Sequence, residues 1–340
     1  MSKLNKLIKS IPLPLIYLLI ISFFVWAIYK NIKDFDLLLH TIYQADVIIL
    51  IYTLLLGLGN IAIFSLILRK VFSLISSRYD FPKLFEKTLS YLLINISTPI
   101  GVTGGSAYIV KYLTSLGITQ IRAFFGIVIS NLVINISYFI ILAFTLLYIS
   151  NSNDLLEYQE IAAILITLLN LAIVIPLLFI IILPRFSKNT AYFIVSIINS
   201  FTSFILRRNV INMDRINEYI NEAISISNGF THSIKAFIKM LPLSTTYHII
   251  NIGVLFLAFY SLGTVLDPFQ AISLYGIIFL FTVVSPTPYG IGIVEGLAHS
   301  AAINMDIDPS VSLVAIILYR FAVLWLPSVI GLFTLKERNR

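Results

Sequence analysis

The chain has 340 residues, of which 59% are hydrophobic and 11% are charged, and it carries a formal net charge of +7. Because soluble globular chains are about a quarter charged, this composition excludes a soluble fold and predicts a protein that lies mostly within or against a lipid bilayer. The chain has no cysteine, and His40, His232, His248 and His299 lack metal-ligand spacing, so we expect no disulfide, no metal site and no cofactor.

Apolar segments with the length of a membrane span recur along the chain. About 20 helical residues cross the roughly 30 Å of hydrocarbon in a bilayer, and backbone groups in lipid must be paired within the chain, so these segments should be helices. We predict an all-α integral membrane protein with about six spanning helices, forming a single polytopic domain over residues 1–340. The embedded segments are predicted at 12–29, 47–68, 88–116, 122–149, 161–183, 241–262 and 269–333.

The distribution of lysine and arginine predicts the orientation of the chain. Of the 23 basic residues, 18 fall in segments 1–11, 69–87, 184–240 and 334–340. By the positive-inside rule these segments face the cytoplasm, which places both termini on the inner side of a cell membrane. The links 150–160 and 263–268 have no lysine or arginine and should lie outside. We expect the basic surface to attract anionic lipid headgroups, and no nucleic acid.

Region 184–240 differs from the spans because its apolar residues recur at steps of three and four with polar residues between them. Phe193, Ile197 and Phe201 form one such stripe, and Ile216 and Ile220 belong to another. This pattern predicts amphipathic helices along the inner membrane surface. Ordinary connectors that pack on the spanning helices would produce the same pattern.

Two segments combine proline and glycine in a way that interrupts a membrane helix. Residues 98–106 are TPIGVTGGS, and residues 285–295 are SPTPYGIGIVE. Relative to alanine, proline and glycine destabilise a helix by about 3 and 1 kcal/mol. Interrupted backbone at membrane depth is tolerated only where protein or a cavity receives it. The residues expected to form the two breaks are Pro99, Gly101, Gly104, Gly105, Pro286, Pro288, Gly290 and Gly292.

The two breaks correspond under a constant offset of 189 residues, which superposes Thr98-Pro99 on Thr287-Pro288. The helix before Pro99 extends only about 16 Å beyond Lys87, so it reaches the membrane midplane and no further. We therefore predict two re-entrant helical hairpins, 88–117 opening to the cytoplasm and 269–308 opening outward. They belong to two halves, 12–149 and 241–333, of an inverted-topology repeat like that of many secondary transporters.

At these motifs the chain resembles the lysylphosphatidylglycerol synthase transmembrane family, which is also described as flippase-like. The segment PTPYGIGIVE at 286–295, followed by LYRF at 318–321 and WLP at 325–327, is similar to the family pattern. The segment PIGVTGGSAYIVKYL at 99–113 resembles the family's proline, double-glycine and tyrosine segment, although Ser106 stands where an acidic residue is common. The resemblance covers nearly the whole chain.

The resemblance implies a membrane domain that binds or flips lipids. In the full lysylphosphatidylglycerol synthases aminoacyl transfer belongs to an additional soluble domain, which we expect this chain to lack. We predict a non-enzymatic transporter or flippase-like protein that moves a phospholipid or a lipid-linked anionic substrate across the cytoplasmic membrane. The alternative is a membrane-embedded transferase, or a scaffold for a partner enzyme, in lipid or cell-envelope glycolipid synthesis. The assemblies that we consider are a homodimer and a complex with a partner enzyme.

Two ionisable residues are predicted near the middle of the membrane, where charge is costly and is usually paired or functional. Glu295 lies in the first turn after the second break, and Arg320 lies in the helix that follows. Under the 189-residue offset their counterparts are the neutral Ser106 and Asn131, as expected for a charge pair present in one half only. The pair is either a structural bridge within the second half, or a site where Arg320 offers its guanidinium to a lipid phosphate when Glu295 releases that guanidinium.

Lys111 and Tyr108, on the second limb of the first hairpin, are the other candidate substrate-binding residues. Lys111 would either meet an anionic headgroup or extend to the cytoplasmic interface. No catalytic constellation accompanies these residues.

Five further polar residues in apolar surroundings have structural interpretations. His248 and His299 are expected to be hydrogen-bonded side chains, with proton relay as the alternative. Asn95, Asn131 and Asn135 are expected to hydrogen-bond neighbouring helices to one another.

Overall fold

All the regular secondary structure in the described part of the protein is helical. The computed structural model describes residues 40–75, 79–98, 103–151, 238–285 and 287–336, with isolated positions between 164 and 235. Every regular element in these residues is a helix and no strand occurs among them, which confirms the all-α class for this part of the chain. The predicted span 12–29, most of the predicted span 161–183 and nearly all of region 184–240 lie outside the described residues.

Nine α-helices and two short irregular turns make up this part. The turns are a 3₁₀ turn at Pro288–Gly290 and a π-helical turn at Phe321–Trp325 that joins the last two helices. The helices are α1 Val47–Ile75, α2 Phe81–Ile96, α3 Thr103–Ser115, α4 Gln120–Asn151, α5 Leu241–Ser261, α6 Pro268–Val284, α7 Ile293–Ile303, α8 Pro309–Arg320 and α9 Leu326–Lys336.

Four helical segments in the described residues are long and apolar enough to cross a membrane. They are Val47–Ile75, Gln120–Leu147, Leu241–Ser261 and Pro309–Leu335, the last formed by α8, the π-helical turn and α9 together. They coincide with the predicted spans 47–68, 122–149 and 241–262 and with the end of 269–333. The protein is therefore a multi-pass membrane protein, and four of the six predicted spans have a helix of suitable length.

Aspartate followed by proline sets the start of two helices in the second half. Asp267 accepts a hydrogen bond from the Phe269 N–H (3.2 Å), and Gln270 accepts one from the Asp267 N–H (2.9 Å). Asp308 accepts from the Ser310 N–H (2.8 Å). A side-chain cap with proline in the first turn is a strong start signal for a helix, so the starts of α6 and α8 are encoded locally.

The helices bury two apolar clusters, which α4 connects. Its first half packs with α1, α2 and α3 around the fully buried Phe72 and Ile109. Its second half packs with α5 to α8 around Tyr138 and Phe259, which are also fully buried. In both clusters helices that are distant in sequence share one core.

A reciprocal amide contact joins α1 to α5, which pack along their length. The Asn60 Nδ2 donates to Asn251 Oδ1 (3.2 Å), and the Asn251 Nδ2 donates to Asn60 Oδ1 (3.0 Å). Both side chains are buried. In an apolar environment such a polar pair fixes the position of one helix relative to the other.

Both predicted breaks fall between two short helices that pack against each other, α2 with α3 and α6 with α7. In the first pair, the buried Asn95 accepts a hydrogen bond from the Gly105 N–H (2.6 Å), which ties the end of α2 to the start of α3. A Cβ atom on Gly105 would overlap the carbonyl oxygen of Tyr91. Glycine at this position is therefore required by the close approach of the two helices. Pro99, Gly101 and Pro286 lie outside the described residues.

The close approach at Gly105 gives the first prediction. Gly105→Ala should lower stability by about 1–3 kcal/mol, because the added methyl group overlaps backbone that cannot move independently. Gly296→Ala is the matched control, since Gly296 lies in α7 with open space around its Cβ direction. The control should be neutral or up to about 1 kcal/mol more stable. Thermal unfolding of the purified proteins in detergent measures both, and an unchanged midpoint for Gly105→Ala would contradict the packing described.

Candidate functional site

Glu295 and Arg320 form a buried ion pair. The Arg320 Nε donates to Glu295 Oε1 at 2.8 Å. Arg320 is 3% exposed and Glu295 is 6% exposed. Glu295 is in the first turn of α7, and Arg320 is the last residue of α8. The structure thus contains the charge pair that the 189-residue offset between the two breaks predicts.

The second oxygen of the Glu295 carboxylate is also occupied. Oε2 accepts a hydrogen bond from the Gly292 N–H at 2.7 Å. Gly292 has φ +86°, a left-handed conformation that side chains disfavour, and this directs its N–H towards the carboxylate. A carboxylate in the first turn of a helix also interacts favourably with the helix dipole, so the backbone of the break and the start of α7 both contribute to the environment of the Glu295 side chain.

The second contact of Arg320 is a backbone carbonyl within the break. Its Nη2 donates to the carbonyl oxygen of Tyr289 at 2.6 Å. Tyr289 has φ +52°, which is uncommon for a bulky residue. The break therefore presents a carbonyl outside the helical hydrogen-bond pattern, and the guanidinium uses it. The sequence analysis did not predict this role of Tyr289. Its position between Pro288 and Gly290 is the feature that could have indicated an irregular backbone there.

Arg320 lines a cavity of about 920 Å³. This volume lies within the roughly 300–1,000 Å³ typical of ligand sites. Much of the remaining wall consists of aromatic and amide side chains. The tyrosines are Tyr91, Tyr247, Tyr275, Tyr289 and Tyr319, and the asparagines are Asn60, Asn131, Asn135, Asn170 and Asn251. Among the described residues that line the cavity, Arg320 is the only charged one.

Two of the amides carry a buried polar atom without a hydrogen-bond partner in the described part of the chain. These atoms are Asn135 Oδ1, an acceptor, and Asn170 Nδ2, a donor. Asn170 is only 1% exposed. Buried polar atoms in native proteins are nearly always paired, so these two atoms are exceptions, and their minimal accessible surface keeps them from facing the cavity directly.

The asparagines on α4 differ from the prediction. Asn131 donates to the carbonyl of Ile127 (3.0 Å), and Asn135 donates to the carbonyl of Asn131 (2.8 Å). Both bonds lie within α4, so the expectation that these two residues bond neighbouring helices is wrong for these contacts. An amide side chain on a helix can reach the carbonyl four residues earlier, and both asparagines form this bond within their own helix. Asn95 does join two helices, as predicted.

His248 and His299 are both hydrogen-bonded, as the sequence analysis expects. His248 Nε2 lies 2.9 Å from the Ile134 carbonyl oxygen, and Nδ1 lies 2.7 Å from the Tyr275 hydroxyl. Because a carbonyl only accepts, Nε2 carries the proton and Nδ1 accepts from the tyrosine. His299 Nδ1 contacts the Ser312 hydroxyl at 2.7 Å. These contacts agree with the structural interpretation of the two side chains.

Lys111 and Tyr108 do not line the cavity beside Arg320. Lys111 is exposed and Tyr108 is half-buried, both on α3, and neither lines the cavity. Their role in substrate binding stays a prediction. The described residues contain no group of three or more histidine, aspartate or glutamate side chains that could hold a metal ion.

The buried pair gives the second prediction. Glu295→Gln leaves the guanidinium buried without its partner, and Arg320→Gln does the same to the carboxylate. Each change should therefore lower the free energy of unfolding by about 3–5 kcal/mol. The double variant should recover much of this loss because neither charge remains, and detergent unfolding of the four proteins measures the coupling.

The control for this cycle is Arg122→Gln. Arg122 faces Glu222 at 3.5 Å with a partly exposed side chain, and a pair of that kind contributes about 0–1 kcal/mol. If the losses from the two single changes simply add in the double variant, Glu295 and Arg320 do not interact in the folded protein.

Comparison with known proteins places the chain in a family. A profile described as the lysylphosphatidylglycerol synthase TM region matches residues 15–331, which is nearly the whole chain and includes both breaks, Glu295 and Arg320. No match is found among the curated proteins. On the strength of this match, the chain belongs to the lysylphosphatidylglycerol synthase transmembrane-region family.

Proposed function

We propose that this protein binds a phospholipid, or another lipid-linked anionic substrate, in the cavity beside Arg320 and moves it across the membrane. The family associates the chain with lipid handling in a membrane. The observation that carries the proposal is a buried guanidinium in the wall of a cavity of about 920 Å³. A charge is costly within a membrane, and one that borders a cavity usually serves a substrate pathway.

Arg320 has the geometry to bind a phosphate. A guanidinium has five N–H donors, and those of Arg320 that have described partners lie on Nε and Nη2. Nη1 has no described hydrogen-bond partner, so it is available to a phosphate oxygen. Glu295 keeps the site neutral when it is empty and shares the guanidinium when a phosphate arrives. The structural alternative is that the pair only holds α7 against α8.

A repeated pattern of helices supports the proposal of transport. Shifted by 189 residues, α3 covers 292–304 and the start of α4 falls on residue 309, which matches α7 and the start of α8. The turns that end α3 and α7 have the same hydrogen bonds at equivalent positions, from Ile118 to Leu113 and from Ile307 to Ala302. We propose that 12–149 and 241–333 are two halves of opposite orientation, whose hairpins 88–117 and 269–308 enter the membrane from opposite sides.

Lipid movement is the third prediction. In proteoliposomes with a fluorescent anionic phospholipid, the protein should expose inner-leaflet lipid to a membrane-impermeant quencher added outside. Protein-free vesicles should keep that lipid protected. Failure of the protein to move lipid, tested with and without a membrane potential and a proton gradient, would overturn the proposed function.

The double variant Glu295→Gln with Arg320→Gln separates the two roles of the pair in the same assay. If Arg320 binds phosphate, this variant should fold but no longer move the anionic lipid. Movement at the parent rate would leave the pair a structural bridge.

Orientation is the fourth prediction, and the cysteine-free chain makes it easy to measure. A cysteine at Ser115, which is exposed at the end of α3, should react with an impermeant maleimide only from the cytoplasmic side. One at Val265, which is 67% exposed, should react only from outside. Reversed labelling would contradict the orientation, and labelling of both from one side would contradict the opposed hairpins.

A further inference from the structure

We propose that the π-helical turn at Phe321–Trp325 is a hinge, at which α9 tilts relative to α8 and changes the width of the cavity beside Arg320. The inference rests on the proposed function, because it supplies the motion that moving a lipid requires. It adds the place at which the last spanning segment, Pro309–Leu335, bends.

The turn interrupts the backbone hydrogen bonds of this segment. The Leu326 N–H donates to the carbonyl of Phe321, five residues earlier. The next donor in that pattern would serve Ala322, but residue 327 is a proline and has no N–H. Prolines and π-helical turns are both sites where helices bend. The segment therefore lacks backbone support at this point that a continuous helix has.

The carbonyl of Ala322 lies against α1. A Cβ atom on Gly57 would overlap that carbonyl oxygen, so only glycine lets the two backbones approach this closely. Both residues are buried. A Cα–H group donates only weakly to a carbonyl. The contact therefore positions the turn on α1 without fixing the angle between α8 and α9.

The two sides of the turn pack against different helices. On one side, α8 packs against α5 and α7. On the other side, α9 packs against α2, where the hydroxyls of Ser90 and Thr334 are hydrogen-bonded at 2.7 Å. A Cβ atom on Gly331 of α9 would overlap the carbonyl oxygen of Leu89 on α2. A bend at the turn therefore carries α9 and α2 together relative to α8.

The corresponding helix of the first half is continuous. Under the 189-residue offset the turn falls on residues 132–136, where α4 is regular, and Pro327 falls on Tyr138, which has an N–H. Thr334 falls on Thr145, whose hydroxyl a Cβ atom on Gly276 of α6 would overlap. Each of these two helices thus reaches the first short helix of the other half. Between them, the π-helical turn is present only in the second, so the bend is expected there.

Residues on both sides of the hinge line the cavity. Arg320 is the last residue of α8, directly before the turn, and Val323 lies within the turn. Tyr91 and Leu92 belong to α2, which packs against α9. A tilt of α9 with α2 relative to α8 therefore changes the distance between the guanidinium and the part of the wall that α2 forms.

The test measures the bend as the distance between two spin labels. Ile317→Cys and Phe333→Cys place labels at exposed positions on either side of the turn, about 24 Å apart at 1.5 Å per residue. Nanodiscs of phosphatidylcholine are compared with nanodiscs that also contain anionic phosphatidylglycerol. The mean distance should change by a few ångströms, because a lipid phosphate at Arg320 favours one bend angle. An unchanged distance distribution would overturn the hinge.

A second pair of labels tests which parts move together. Ser115→Cys at the end of α3, combined with Phe333→Cys, should give the same distance in both kinds of nanodisc. The reason is that α3 is hydrogen-bonded to α2, and α2 to α9. A change as large as that of the first pair would overturn the assignment of the bend to the turn.

Pro327→Ala restores the missing N–H and should straighten the segment. The distance between labels at 317 and 333 should then be the same in both kinds of nanodisc, and lipid movement should slow about tenfold, because the cavity no longer changes form. Pro309→Ala is the matched control and should behave like the parent, since proline in the first turn of α8 removes no helical bond. A Pro327→Ala protein that bends like the parent would overturn the role of the turn.

If Pro327→Ala does not fold, the two label pairs decide alone. The distances are measured without transport, so the outcomes separate from those of the lipid assay. Bending without lipid movement would leave the hinge standing and the proposed function overturned. Lipid movement without a change in the distance between labels at 317 and 333 would overturn the hinge and leave the proposed function standing.

Discussion

A guanidinium among apolar helices must be neutralised and hydrogen-bonded, and the second half of this protein is arranged around that requirement. Arg320 reaches Glu295 and the carbonyl of Tyr289. Glu295 in turn holds the N–H of Gly292. A continuous helix would have used that carbonyl and that N–H within itself, so the break between α6 and α7 makes both groups available to the ion pair. The break and the charge are parts of one arrangement.

The first half also has a side chain that bridges its break, but at a different position and without a charge. There the carboxamide of Asn95, with a neutral oxygen, accepts from the Gly105 N–H across the break between α2 and α3. Ser106 and Asn131 stand where the second half has Glu295 and Arg320. Asn131 lines the same cavity as Arg320. The lining of the cavity thus includes both Arg320 and its neutral counterpart under the 189-residue offset.

Much of this arrangement was predictable because it is encoded locally. Proline and clustered glycine predict both breaks, aspartate before proline predicts where α6 and α8 begin, and hydropathy predicts the four spans found in the described residues. The ion pair was predictable from two charges in apolar surroundings. Sequence could not show that Tyr289 adopts a positive φ, or that α4 uses its asparagines on its own backbone. Those outcomes depend on which partners the folded chain brings within reach.

The reciprocal contact between Asn60 and Asn251 bears on how such a protein could change shape. Sliding α1 along α5 by even one residue would break both hydrogen bonds together and leave two amides unpaired in an apolar core. Small sliding motions are therefore resisted at this contact. α1 and α5 therefore keep a fixed position relative to each other in any change of conformation that preserves both hydrogen bonds.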